Sequence, residues 1–317
     1  MKFWVSLLLL TFANLNVFAQ TSKTIKIIVP FAVGGASDSY TRIVVQKIIE
    51  QTGKSVVIDN KTGAGGRIAF DYVAHSAPDG STVVLIDATY AMLPGMFTNL
   101  TWNVATDLVP VVMIAQTPFV VLVRTDSKFQ NLGEMIAYAR AHPGELNYGS
   151  AGLGSTNHIV TERFKSDAHI EVTHVPFRGM SEASLALQSG NLDFIIAASS
   201  TALSQIKGGK LKPLAVSTLK RSLILPNVPT AIEAGVPGFV TSNWFALAVP
   251  KGSSNEIINT LRDDVTRAIS DSDTKDKLLL QGADAPRISG EELAKFLRDD
   301  TAKWTEVIKI NHIKIDP

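Results

Sequence analysis

The chain contains no cysteine. That absence excludes disulfides, thiolate metal sites, cysteine nucleophiles and lipid anchoring through a cysteine. An excess of one charge is missing as well. Thirty Lys and Arg stand against 29 Asp and Glu, a net charge of +1, which argues against nucleic acid as a partner. Beyond the first residues, no apolar run is long enough to span a bilayer. Short-period repeats and low-complexity segments are also lacking.

The start of the chain is different in character. Met1-Lys2 is a short positive beginning, Phe3 to Phe18 is mostly apolar, and Val17-Phe18-Ala19 places small residues where a signal peptidase reads. Cleavage after Ala19 and export to the periplasm are expected. Removing 19 of the 317 residues leaves 298 and takes away Lys2, so the exported chain carries no net charge. That length suits one large or two medium domains with ample core.

Strand and helix patterns alternate through the rest. Ile25–Val29, Ser55–Ile58, Thr82–Ile86, Val111–Ala115, Phe119–Val123, Leu146–Tyr148, Val172–Val175, Phe194–Ala198, Leu214–Ser217 and Phe245–Val249 read as strands. Helical periodicity follows Ser37 and covers Ile68–Ala77, Gly133–Ala141, Asn157–Phe164, Glu182–Ser189 and Ala202–Lys207. It closes the chain over Asn255–Ile269 and Gly290–Ile310. The expected fold class is α/β, with open, mostly parallel sheets covered by helices on both faces. Phe119–Thr125 and Ser242–Val249 read as extended segments able to cross between two lobes. Lobe I is expected over 20–122 plus 245–317 and lobe II over 123–244.

Two glycine turns carry the chemistry. In Val29-Pro30-Phe31-Ala32-Val33-Gly34-Gly35-Ala36-Ser37-Asp38, a strand ends in a Gly pair and a helix follows, with Ser37 or Asp38 as expected N-cap. The second is Tyr148-Gly149-Ser150-Ala151-Gly152-Leu153-Gly154-Ser155-Thr156-Asn157-His158. Strand, glycine turn and helix start leave backbone N–H groups unpaired at the positive end of a helix dipole, which favours an anion. Two such turns imply a carboxylate-binding cleft. Lys61-Thr62-Gly63-Ala64-Gly65-Gly66 is a third glycine turn, read as an ordinary flexible connection in preference to a further edge of the same cleft.

Other chemistries fit poorly. The second turn lacks the Lys of a phosphate loop, where Ser155 stands, and the third glycine of a dinucleotide fingerprint, where Asn157 stands. Gly149-Ser150-Ala151-Gly152 lacks nucleophile-elbow spacing, and no carboxylate is evidently placed to orient His158. His169, Glu171 and His174 fall around a strand whose alternating faces separate His174 from the other two, which argues against a metal site. Trp102, Trp244 and Trp304 read as packing residues. Arg178 lies in a strand-to-helix loop where a guanidinium could meet a carboxylate, or could instead be a solvated side chain or form a lobe–lobe salt bridge.

In order, I-I-V-P-F-A-V-G-G-A-S-D, G-A-G-G, A-P-D-G, L-N-Y-G-S-A-G-L-G-S-T-N-H, H-V-P-F-R-G and L-P-N-V-P-T-A-I-E-A-G-V-P-G-F resemble the periplasmic solute-binding proteins of tripartite tricarboxylate transporters, the Bug family. The resemblance runs from about Lys26 to Asp316. It implies a two-lobed, hinged, type II-like periplasmic-binding-protein fold with an inter-lobe cleft, no catalysis and no cofactor or metal. A small organic carboxylate would be held between the two loops. The carry-over falls on Phe31, Gly35, Ala36, Ser37 and Asp38, and on Ser150, Gly154, Ser155, Thr156, Asn157 and His158. Phe177 and Arg178 match a loop beside the cleft.

Three departures bear on the ligand. Ala197-Ala198 stand where the family commonly has Asp-Asn, Leu93 where it often has Asn, and Met180 where it has a second Gly. Together they point to a carboxylate with an apolar or aromatic remainder. The expected partners are the membrane components of such a transporter or, as an alternative, a sensor kinase. An α/β hydrolase built on Ser155 and His158 is a further, weaker reading.

Overall fold

The computed structural model describes residues 24–313, so the expected export signal lies outside the described residues. Strand β1 (Ile25–Val29), rich in β-branched residues, lies between β2 (Val56–Asn60) and β3 (Thr82–Asp87) and is parallel to both. The crossovers are α1 (Ala36–Thr52) and α2 (Arg67–Ala74). Strand β9 (Ser242–Pro250) runs antiparallel to β3, and β4 (Leu108–Arg124) antiparallel to β9.

β4 changes partners along its length. Up to Pro118 it pairs with β9; from Phe119 onward it pairs with β7 (Phe194–Ala198) and β8 (Leu211–Val216). In that second half β5 (Asn147–Ser150) lies parallel between β7 and β6 (Thr173–Pro176). The result is two open sheets strung on one long strand.

The expected parallel arrangement therefore holds at the two outer parts and fails in the middle. The two segments that join the lobes run in opposite directions, and they pair antiparallel with each other and with their neighbours. β4 is also one strand where two were expected. Gln116-Thr117-Pro118 reads as a break, but the ladder continues through it opposite Trp244, Asn243 and Ser242. Gln116 Nε2 donates to Ser242 Oγ at 2.6 Å. Next to it, Ser217 Oγ accepts from the Phe119 N–H (2.9 Å) and donates to the Thr241 carbonyl (2.6 Å).

Alternation along the strands feeds separate cores on the two sheet faces. In the first half Ile27, Val29, Val83 and Leu85 pack with α1, with α8 (Asn255–Ser270) and with α9 (Ser272–Leu280). Ile28, Val84 and Ile86 pack with α2, with α3 (Ala88–Met96) and with α10 (Gly290–Ile310). In the second half Val120, Leu122, Ile195 and Ala197 face α6 (Met180–Gln188) and α7 (Ser199–Lys207). Val121, Val123 and Ile196 face α4 (Leu132–Ala141) and α5 (Thr156–Ala168). Trp244 and Trp304 are fully buried, and both indoles donate to Asp300 Oδ2 (2.8 and 2.9 Å). Among the described residues no helix is long and apolar enough to cross a membrane.

Candidate functional site: a cleft between two lobes

The second glycine turn is built on a stack of polar rings, with Tyr148 and His158 buried and His174 half-buried. The rings of Tyr148 and His174 lie 4.8 Å apart, and those of His174 and His158 4.2 Å apart. Ser150 Oγ lies 2.7 Å from His174 Nε2 and accepts from the Gly152 N–H at 3.1 Å. Gly154 donates its N–H to His158 Nδ1 at 3.1 Å, which places the His158 proton on Nε2, 4.0 Å from Glu162. Burial, reinforced by the neighbouring His174, pushes His158 down to about 4; burial also lowers His174. Both imidazoles are neutral near pH 7. Only a neutral His158 can accept the Gly154 N–H.

Gly152 (φ +108°) and Gly154 (φ +73°) then carry the chain through left-handed backbone. Ser155 caps α5. Its Oγ accepts from the His158 N–H at 3.3 Å and donates to the Gly152 carbonyl at 2.7 Å. The hydroxyl and imidazole that a hydrolase would need thus both hold the turn. Thr156 and Asn157 start the helix, where their N–H groups have no intrahelical acceptor. Asn157 Nδ2 donates to the Ile196 carbonyl at 2.8 Å and ties the turn to β7.

The opposing wall comes from the other lobe. Asp87 caps α3, its carboxylate accepting from the Thr89 N–H at 3.1 Å, and burial raises its pKa to about 7. Thr89 Oγ1 lies 3.2 Å from Thr156 Oγ1, a hydroxyl contact from one lobe to the other. Beside it Arg67, the first residue of α2, donates from Nε to the Ala64 carbonyl (3.3 Å), and its guanidinium lies over the Phe97 ring at 4.0 Å. Between the walls is a cavity of about 520 Å³. Phe31, Ala64, Gly65, Arg67, Thr89, Leu93, Met96 and Phe97 line one side, and Ala151, Leu153, Gly154, Ser155, Thr156 and Asn157 the other.

Of the residues expected at the site, Phe31, Gly154, Ser155, Thr156 and Asn157 meet in this cavity. Ser150 and His158 are buried behind it as braces. The rest of the first turn lies at the start of α1, outside the lining. Gly35, not Ser37 or Asp38, is the N-cap, and it supplies no side chain. Asp38 instead reaches back. Its carboxylate accepts from the Gly34 N–H (2.9 Å), Arg42 Nε (2.8 Å) and Asn60 Nδ2 (3.1 Å). Burial alone would raise its pKa, but these hydrogen bonds outweigh that and hold it below the ordinary carboxylate range. Ala36 is half-buried and Ser37 buried. Phe177 packs beneath the second turn against the cluster on α6, and Arg178 is exposed. Ala197 is buried in β7, and Ala198 precedes α7 as its N-cap.

Sequence reasoning missed Arg67, Thr89, Met96 and Phe97, weighed Ala64 and Gly65 only as the less favoured reading of the third glycine turn, and noted Leu93 only as a departure. Two signals were present. The third glycine turn introduces Arg67, and Asp87-Ala88-Thr89 is a helix-cap pattern.

Two lobes on crossing strands, with a cavity between glycine-turn helix starts, define a solute-binding receptor of the periplasmic-binding-protein type. Comparison with known proteins agrees. The family described as "Tripartite tricarboxylate transporter family receptor" matches residues 40–313. A protein from Pseudomonas sp. described from a tcbD-tcbE intergenic region is 35% identical over 92% of this chain and 87% of its own length. BugT of Bordetella pertussis is 31% identical, over 93% and 91%. Among solved structures, a Rhodopseudomonas palustris protein with adipate superposes with a TM-score of 0.80 at 32% identity, covering 92% of this chain and 98% of that one. MatC of the same organism, with bound malate, gives 0.76 at 31%, covering 90% and 98%. The chain belongs to the tripartite tricarboxylate transporter receptor family.

Proposed function

We propose that this receptor works in the periplasm, captures a small organic carboxylate in the Thr156–Arg67 cleft and hands it to the membrane components of its transporter. The observation that carries the reading is the cleft itself: an α5 N-terminus with unpaired N–H groups on one lobe faces an apolar wall bearing one cation on the other. Each charge-assisted hydrogen bond there is worth roughly 1.5–3 kcal/mol. The adipate and malate bound by the two Rhodopseudomonas proteins are carboxylates, which supports the same class here. Delivery to a sensor kinase, the alternative expectation, draws no support from these relatives.

The lobe division we propose follows the ladder. It falls at Pro118/Phe119 in β4 and at Thr241/Ser242 on entry to β9, within four residues of the boundaries expected from sequence. Calorimetry of the exported chain with carboxylates and their neutral amides tests the reading. Binding of acids and not of amides is expected; equal binding of an acid and its amide contradicts it.

A further inference from the structure

We infer that Arg67, laid on the ring of Phe97, is the specificity-determining residue of the cleft and selects acids carrying a second anionic group beyond an apolar body. The inference rests on the carboxylate-receptor reading and deepens it.

Arg67 is the one charged residue among those lining the cavity. Among the described residues its guanidinium has no carboxylate partner. Its hydrogen bond to Ala64 uses Nε and leaves the two terminal nitrogens available. A cation with no internal counter-charge in a half-buried place loses hydration when the cleft closes. An anion on the ligand offsets that loss. The Phe97 face fixes the plane of the guanidinium, so the fork that grips a carboxylate with two parallel bonds is set before the ligand arrives.

The other anion-favouring pole is the α5 start at Thr156 and Asn157, on the opposite lobe. An occupant with a negative charge at each end matches a cleft with a favourable place for negative charge on each lobe. Leu93, Met96 and Phe97 make much of the surface on the Arg67 side. Hydroxyls against these side chains would be buried without partners, which costs roughly 1–3 kcal/mol each. A methylene chain or an aromatic ring suits that wall.

Matched acids differing only in the second charge provide the test: hexanoate against adipate, and benzoate against terephthalate, titrated calorimetrically into the wild type, Arg67→Gln and Arg67→Lys. The wild type is expected to bind each diacid at least about tenfold tighter than its monoacid. Arg67→Gln is expected to erase that preference by weakening each diacid at least about tenfold more than its monoacid, and Arg67→Lys to restore part of it. Thermal melting of each variant separates lost selectivity from lost fold. A wild type without diacid preference, or an Arg67→Gln variant that weakens mono- and diacids alike, overturns the inference and leaves the carboxylate reading standing. Failure of all four acids to bind while an amide binds overturns the underlying reading as well.

Discussion

At the scale of single residues, the cleft depends on groups that never touch the cavity. His158 is the clearest case. Its folded-state pKa lies near 4 against an ordinary 6.5, and His174 is shifted in the same direction. The folded protein therefore binds fewer protons than the unfolded chain between these values. The contribution of this pair to stability is complete above pH 6.5 and is lost as pH falls toward 4. Asp87 works the other way. Its raised pKa favours the folded state at low pH, and that contribution fades as pH rises through about 7. Comparison with His158→Asn, which keeps Asp87, isolates the imidazole. The wild type should lose stability relative to that variant by on the order of 1 kcal/mol per pH unit between pH 6.5 and 4.5 in denaturant melts. Parallel curves would contradict the assignment. The groups around His158 are His174, Glu162 and Lys165, and Lys165 Nζ lies 2.8 Å from both Glu162 oxygens.

Asp38 gives a second test at this scale. Replacing it with Ala removes the acceptor of three donors and should cost roughly 2 kcal/mol of stability. Ligand affinity should fall less than in Thr156→Pro, which removes an N–H at the cleft itself. Equilibrium unfolding and calorimetry on both variants check this. A larger binding loss in Asp38→Ala would place the ligand at α1 instead.

At the scale of elements, legibility followed local pattern. β7 and α10 have the bounds that their sequences suggest, Phe194–Ala198 and Gly290–Ile310, because an uninterrupted apolar run and a long amphipathic period leave little choice. The second glycine turn was legible for the same reason: strand, glycines, cap and helix are all local. The element that walls the cavity was not. α3 carries Pro94 and Gly95 in its last turn, and both read as breakers. The helix persists because tertiary packing supports it. A Cβ at Gly95 would lie 2.8 Å from Ile308 Cδ1 and 3.1 Å from Thr305 Cα of α10. Gly95→Val should therefore destabilise the fold by roughly 1–3 kcal/mol and shift Leu93, Met96 and Phe97. Weaker ligand binding with a lowered melting temperature is expected. Unchanged affinity would mean that α3 does not shape the site. Arg67 escaped notice for a related reason: nothing in its neighbourhood along the chain brings Phe97 beneath it.

At the scale of the whole molecule, the described residues pass from one sheet to the other at two places in the main ladder, β4 and the entry to β9. Ser217 bonds both passages, which gives a narrow, well-anchored junction. Beyond the ladder the lobes also meet at the Thr89–Thr156 hydroxyls and at Ser199, whose Oγ donates to the Gly282 carbonyl at 2.5 Å. Farther back, Arg163 of α5 donates to the carbonyls of Val240 (3.0 Å) and Gly238 (2.7 Å), and its guanidinium lies 5.6 Å from the Trp304 ring on α10. Two passages in the ladder, with side-chain contacts between the lobes beside them, are the conditions for hinge closure around a solute, with the closed form stabilised by whatever fills the gap. The absence of cysteine makes the motion directly measurable, since two introduced cysteines can be labelled without competition. Spin labels at the exposed positions Ile68 on α2 and Leu185 on α6 report from opposite lobes. With saturating adipate, pulsed dipolar spectroscopy should show one narrow separation, shorter than the broader distribution of the ligand-free protein. An identical distribution with and without a bound acid would contradict capture between the lobes.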